Sequence, residues 1–262
     1  MIHQGWLLIR TLLIRPGAIG DFIVSLPAME ALRTGYTEVW CAEPNVPLAR
    51  FADRAQSIIS AGLDRLGILP ADDVVERLRR FDSIISWYGS NRPEFRELVD
   101  ALGLPIRFLP ALPSAGMHAV DYYNQQARAL GAPPPSRFPE IRCAEASRNF
   151  GAIHPFASNV AKRAPMRVFE RMAERLSRSM PVHWLRGPEE ELDGALRIAD
   201  LYELATWLRQ ARIFVGNDSG MSHLAAAVGT PVVVFFRVTD PRVWAPRGIS
   251  VNDIDFSSNF SA

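Results

Sequence analysis

Cysteine is scarce in this chain: Cys41 and Cys143 are the only two in 262 residues. They form no disulfide framework and no paired-ligand spacing of a structural metal site, and they fit a protein of a reducing compartment. Excess charge is also missing. The sum of Lys and Arg is 29 against 28 for Asp and Glu, a net charge of +1. That balance excludes the marked basic surplus of a nucleic-acid binder. A long apolar run is absent too. The N-terminal WLLIRTLLIR is broken by Arg10 and Arg15, is too short to span a bilayer and lacks a small-residue cleavage site, so it reads as a core strand. No internal repeat or low-complexity tract is visible. What is plentiful is apolar side chain, 48% of the residues, enough for a real core in one large or two small domains.

Short apolar runs alternate with amphipathic segments. Strands are expected over residues 6–14, 38–42, 57–61 and 83–87, and helices over 22–33, 72–80, 93–102 and 118–130. This alternation implies a parallel α/β sheet. Pro133-Pro134-Pro135-Ser136 stops the pattern, because such a run continues neither a helix nor a central strand. The alternation then restarts, with strands over 151–154, 182–185, 213–215 and 232–236 and helices over 166–178, 201–210 and 219–228. Two Rossmann-like α/β lobes are expected, residues 1–135 and 136–262, with a cleft between them at the carboxyl ends of strands.

Two strand-to-helix turns carry the chemistry. In VGNDSGMSHLAAAVGTPVVVFF (Val215–Phe236), Asn217-Asp218-Ser219-Gly220 is a small polar turn opening directly on a helix. Such a helix start offers unpaired N–H groups and a positive dipole end, a place for a phosphate. His223 follows Ser219 by four residues and shares its face. The plain alternative is that Asp218 or Ser219 only caps the helix and that His223 is a core histidine. In LLIRPGAIGDFIVSLPAMEALR (Leu12–Arg33), Pro16, Gly17 and Gly20 make a loop and Asp21 opens a helix, with a kink or late start expected at Pro27. Gly17 and Gly20 lack the Lys and Ser/Thr of a P-loop and the third glycine of a dinucleotide fingerprint. Asp21 is either an N-cap or a carboxylate facing a cleft, suited to a general base.

With these turns in hand, the chain resembles glycosyltransferase family nine, the bacterial ADP-heptose:lipopolysaccharide heptosyltransferases. Gly20-Asp21 with the later Pro27-Ala28 and Ala31-Leu32-Arg33 looks like the family's opening, and Asp218-Ser219-Gly220 through Pro231 looks like its donor signature. Ala152–Pro165, with His154-Pro155 and Lys162-Arg163, and Asp240–Gly248, with Asp240-Pro241 and Trp244, resemble two further blocks. Ala164, Phe156 and Arg237 depart from the family's usual Trp, Gly and Gly.

The resemblance implies a GT-B-like architecture and an inverting transfer of a heptose or related sugar from an ADP-sugar to a lipopolysaccharide-type acceptor. Asp21 would be the base, with Gly17 and Gly20 as its loop. Lys162, Asp218, Ser219, Gly220 and His223 would hold the donor, and Ser158 is either a further phosphate contact or a loop serine or cap. A carboxylate beside a diphosphate is repulsive, so Asp218 is expected to orient the turn through backbone N–H groups or to touch a ribose hydroxyl. No His/Cys/Asp cluster has metal spacing. Asp253-x-Asp255 fits a metal motif by spelling only and falls in a polar tail, so no metal or cofactor is expected beyond the donor substrate. Of Glu189, Glu190 and Glu191, at least two are expected to complement a helix dipole. Arg209 and Arg212 read as a solvated, dipole-matched pair, and Trp87, Tyr88, Tyr122 and Tyr123 as core aromatics. The expected partners are a nucleotide-sugar and a lipid-linked glycan, with no nucleic acid. The expected location is the cytoplasm, with at most peripheral contact at the inner face of the inner membrane. A nucleotide-sugar-binding protein without transfer activity and a sugar-nucleotide epimerase or hydrolase are the alternatives.

Overall fold

The computed structural model describes residues 9–69, 71–113, 116–145, 147–248 and 251–255. It holds two five-stranded sheets, with every strand pair parallel. The first sheet consists of β1 (Arg10–Arg15), β2 (Tyr36–Cys41), β3 (Arg54–Ser57), β4 (Ser83–Ser86) and β5 (Ile106–Phe108), in the order β3-β2-β1-β4-β5. The second consists of β6 (Phe150–His154), β7 (Val182–Trp184), β8 (Ala211–Asn217), β9 (Val232–Phe236) and β10 (Val251–Asp255), in the order β10-β9-β8-β6-β7. The helices are α1 (Ile19–Ala31), α2 (Asp72–Leu78), α3 (Pro93–Ala101), α4 (Ala119–Ala129), α5 (Met166–Ser177), α6 (Leu201–Leu208), α7 (Gly220–Ala227) and α8 (Pro241–Trp244). Among the described residues none is long and apolar enough to cross a membrane.

The central strands are the ones with unbroken apolar runs. Thr11–Arg15 of β1 and Phe214–Asn217 of β8 are buried throughout, as expected of parallel strands covered on both faces. Helix α5 shows the opposite pattern: it turns Phe169, Met172, Ala173 and Leu176 to the sheet, a single stripe at helical spacing. Helix α1 is different again, with Phe22 to Met29 buried without a break. It needs that composition because α4 packs on one side of it and α7 on another.

Several expectations change. Helix α1 begins at Ile19, so Asp21 is its third residue and does not open it. Nor is its start late: it continues as one segment through the buried Pro27. The strand expected over 57–61 ends at Ser57 instead, because Arg54-Ala55-Gln56-Ser57 forms the sheet edge beside β2 and residues 58–61 turn away. Residues 6–8 of the first expected strand lie outside the described residues. Asp253 and Asp255 belong to β10, which pairs with β9, and not to a tail beyond the last core element.

The block after α8 reaches from the second sheet to the first sheet's helices. His118 at the start of α4 donates from Nε2 to the Ala245 carbonyl at 2.9 Å, while its Nδ1 accepts from Val120 N. Arg247 grips both oxygens of Asp121 at 2.7 and 2.5 Å. Gly248 lies against α7, where an added Cβ would be 3.0 Å from the Ala226 carbonyl oxygen.

Candidate functional site

In an open parallel sheet the strand order reverses at one point, and loops leaving the carboxyl ends on either side of it diverge to leave a crevice. In the first sheet that point lies between β1 and β4, and the Gly17–Asp21 turn leaves β1 there. In the second it lies between β6 and β8. The His154-Pro155 block leaves β6, and Asn217-Asp218-Ser219-Gly220 leaves β8. Both crevices therefore carry a turn singled out in the sequence.

The two turns meet. A Cβ placed on Gly220 would stand 2.7 Å from Ile19 Cβ and 3.1 Å from Gly20 N. One on Gly20 would stand 3.2 Å from His223 Cδ2 and 3.7 Å from Gly220 Cα. Only glycine at 220 permits this approach. Gly17 has φ +110°, and its turn brings Asp21 back toward it. The half-buried Asp21 carboxylate accepts a hydrogen bond from Ala18 N at 3.2 Å and from no other group among the described residues.

Asp218 is tied down far more firmly. It is buried, its Oδ2 accepts from Lys162 Nζ at 2.7 Å and from the Thr239 hydroxyl, and its N–H donates to the Phe235 carbonyl. The expected backbone partners for this carboxylate are thus replaced by two side chains. Lys162, the chain's only lysine, has 27% of its side chain exposed against 5% for Asp218, so the ammonium faces the crevice. Ser219 occupies the N-cap position of α7, but its Oγ is buried with no hydrogen-bond partner among the described residues. Ser158 is exposed at the rim, and Arg163 turns away to the Ala157 carbonyl at 2.8 Å. Burial, its largest influence, lowers the His223 imidazole to about 4. The Asp218 and Asp21 carboxylates oppose this, while His118 and Lys162 add to it. His223 is therefore neutral at pH 7.

Asn217, unassigned in the sequence, organises this corner. It is fully buried, its Oδ1 accepts from Ala164 N at 2.8 Å and its Nδ2 donates to the Pro155 carbonyl at 2.7 Å. It thereby fixes the Pro155–Ala164 loop, and Lys162 with it, against the α7 turn. Arg237 adds a bond to the Arg163 carbonyl at 2.7 Å. No helix starts at Glu189, Glu190 or Glu191, since the next one begins at Leu201, so the dipole reading applies to none of the three. The Glu190 carboxylate takes His154 Nε2 at 2.9 Å and Gly187 N at 2.5 Å. Burial pushes that carboxyl up, but the His154 and Gly187 bonds outweigh it and leave it below the usual range. Arg209 is not simply solvated: it donates to the Val228 carbonyl at the end of α7. Trp87 and Tyr123 are core, as read. Among the described residues no group of three or more His, Cys, Asp or Glu is placed to hold a metal.

Comparison with known proteins identifies relatives of this chain. Lipopolysaccharide heptosyltransferase 3 of Escherichia coli is 43% identical over 44 residues, 17% of this chain and 13% of that protein's length. The solved family 9 glycosyl transferase of Veillonella parvula superposes with a TM-score of 0.74 at 16% identity, covering 94% of this chain and 86% of its own. The E. coli heptosyltransferase WaaC, solved with ADP, gives a TM-score of 0.71 at 16% identity, covering 94% and 93%. These two likenesses establish a shared fold, that of the GT-B-type family 9 enzymes. The sequence model described as glycosyltransferase family 9 (heptosyltransferase) matches residues 114–262, more than half of the chain. The chain belongs to glycosyltransferase family 9.

Proposed function

We propose that the protein is an inverting glycosyltransferase that moves a heptose or related sugar from an ADP-sugar to a lipopolysaccharide-type glycan. In this reading the lobes divide near residues 135 and 136, and the reaction runs where their two turns abut. The observation that carries it is the Lys162–Asp218 pair at 2.7 Å, set beside the Gly220 turn that touches Gly20. Transfer needs a leaving diphosphate stabilised and an attacking hydroxyl deprotonated, with both held in line. Lys162 and the N–H groups opening α7 supply fixed positive charge to the diphosphate. Gly220 lets it approach, and Ser219 Oγ, Ser158 and the neutral His223 offer polar contacts along the crevice. Asp218 holds the ammonium in place and does not itself meet the phosphates.

Asp21 stands on the opposite side of the contact, and its single weak backbone bond leaves a carboxylate lone pair for an acceptor hydroxyl. As base it accepts the hydroxyl proton while the new glycosidic bond forms and the sugar–phosphate bond breaks, with the electron pair leaving on ADP. Support for an ADP-linked donor comes from the fold shared with a heptosyltransferase solved with ADP. The same reading places the enzyme in the cytoplasm, meeting a lipid-linked acceptor by peripheral contact at the membrane face.

Thermal stabilisation by ADP, compared with UDP and GDP at equal concentration, tests the donor assignment. At about 100 times the dissociation constant a ligand specific to the folded state adds roughly 2.7 kcal/mol. A shift with ADP alone supports it. A shift with UDP or GDP alone rejects the ADP donor. ADP binding without turnover of ADP-heptose on any truncated lipopolysaccharide acceptor leaves a binding protein.

A further inference from the structure

A buried arginine lies directly beneath the Asp21 turn. Arg15, the last residue of β1, is 2% exposed, and among the described residues no carboxylate forms an ion pair with it. A cation removed from water without an ion-paired carboxylate, with the Asp21 charge only nearby, is costly, and an apolar residue of similar volume would fill the same space more cheaply if packing were all that was needed. Its hydrogen bonds show what the charge is used for. Nη1 donates to the Pro16 carbonyl at 2.8 Å, at the entry of the Gly17–Gly20 turn. Nη2 donates to the Asp21 carbonyl at 2.9 Å, at its exit. Nε donates to Ser25 Oγ at 3.0 Å, one helical turn further along α1. Nη2 also donates to Tyr123 Oη at 2.9 Å, and that hydroxyl donates in turn to the Ala111 carbonyl at 2.6 Å.

The guanidinium therefore spans both ends of the turn, which Asn45 Nδ2 also holds through the Gly17 carbonyl at 3.2 Å and which abuts Gly220. The loop contains two glycines, one at positive φ, and the carboxylate it carries makes one 3.2 Å bond. A planar fork with fixed donor directions suits such a clamp, whereas an ammonium on the same strand would keep the charge and lose the geometry. Tyr123 anchors the fork from α4, the helix that the Ala245–Gly248 segment also grips.

We propose that Arg15 is a positioning residue for transfer: it clamps the two ends of the Gly17–Gly20 turn, with Tyr123 as its anchor, and so fixes the direction of the Asp21 carboxylate. This rests on the reading of Asp21 as the base.

The test is steady-state transfer from ADP-heptose to a truncated lipopolysaccharide acceptor by the full chain. Arg15→Lys is expected to lower kcat about 10²-fold, the cost of a small misplacement at a reacting group. KM for ADP-heptose and stabilisation by ADP should stay at wild-type values. Tyr123→Phe, which removes only the anchoring hydroxyl, is expected to lower kcat about tenfold on the same argument. In an Asp21→Asn background, Arg15→Lys should cost nothing further, since a residue acting through Asp21 has nothing left to act on. Wild-type kcat in a folded Arg15→Lys protein overturns the proposal, as does an undiminished loss in the Asp21→Asn background or a loss confined to KM. If Arg15→Lys does not fold, Tyr123→Phe decides by the same readings. Amide hydrogen exchange of residues 17–25 needs no turnover: faster exchange in either variant supports the clamp, and unchanged exchange rejects it. Wild-type transfer by Asp21→Asn alone sinks the base assignment, an outcome the exchange measurement keeps separate.

Discussion

The two turns that meet at the centre of this molecule are alike in topology and opposite in charge. Each leaves the carboxyl end of a central strand and opens a helix, one through Gly17–Asp21 and the other through Asn217–Gly220. Under the first lies a buried cation, Arg15, and its carboxylate is left almost unbonded at the surface. Under the second lies a buried carboxylate, Asp218, and its cation, Lys162, is left facing the crevice. In each the buried partner holds the geometry, and the outer partner is the more exposed of the two. On the proposed reading, one scaffold thus presents a base on one side and a phosphate-binding cation on the other.

The sharpest break between the sides is Asp21→Asn. Transfer should fall about 10²- to 10⁴-fold, the usual worth of a positioned base. ADP stabilisation should match the wild type, because the second turn is intact. A folded variant that loses ADP binding would place Asp21 on the donor side instead.

Lys162→Met acts in reverse. ADP affinity should drop about 10- to 100-fold, the worth of a hydrogen bond to a charged group. Melting temperature should also fall, since Asp218 keeps only 5% side-chain exposure and loses its cation. Adding Asp218→Asn should restore the melting temperature but not the affinity. Calorimetry on the three proteins separates the two roles, and unaltered ADP binding in all of them would remove Lys162 from the donor site.

A pH series tests the histidine between the turns. The unfolded chain protonates a histidine near 6.5, whereas folded His223 resists protonation down to about 4. Within that window the unfolded state binds the extra proton, so stability should fall as pH falls from about 6.5 toward about 4. His118, lowered chiefly by its own burial, contributes in the same direction. His223→Gln should flatten the slope of stability against pH in this range. An equal slope in both proteins would mean that His223 gains its proton without unfolding.

Thr239→Val is the mildest probe. It removes one of the two side-chain donors to Asp218 and should cost about 1 kcal/mol of stability. ADP affinity should fall only about threefold, a difference visible by titration, because Lys162 keeps its bond.

How much of this was legible in the sequence depends on the reach of each interaction. Strands β6, β8 and β9 and helices α5 and α7 are written in local apolar patterns, and the glycine-bearing turns after β1 and β8 stand out for the same reason. Strand β5 is only three residues, Ile106–Phe108, too short to show a period. Strands β3 and β10 are polar edge strands, recognisable only once a neighbour is in place. The residues that organise the candidate site were the least legible. Asn217 reaches Pro155 across 62 positions, Thr239 reaches Asp218 across 21, and Arg15 reaches Tyr123 across 108. A family resemblance marks which side chains face the crevice. It does not show what stands behind them, because those partners are set by how two sheets pack and not by any spacing along the chain.

The scarcity of lysine has a practical side. A protein whose 29 basic Lys and Arg residues include one lysine carries a single side-chain amine, and that amine is Lys162. Among side chains, amine-directed chemistry therefore has one target without any engineering. Reductive methylation with ¹³C-formaldehyde keeps the positive charge and puts one side-chain resonance at the crevice. If Lys162 holds the donor as proposed, its chemical shift would follow the release of the ammonium from Asp218 as a diphosphate arrives. The same group, acylated instead, would lose its charge, and protection of Lys162 from acylation by ADP would map occupancy of the proposed site.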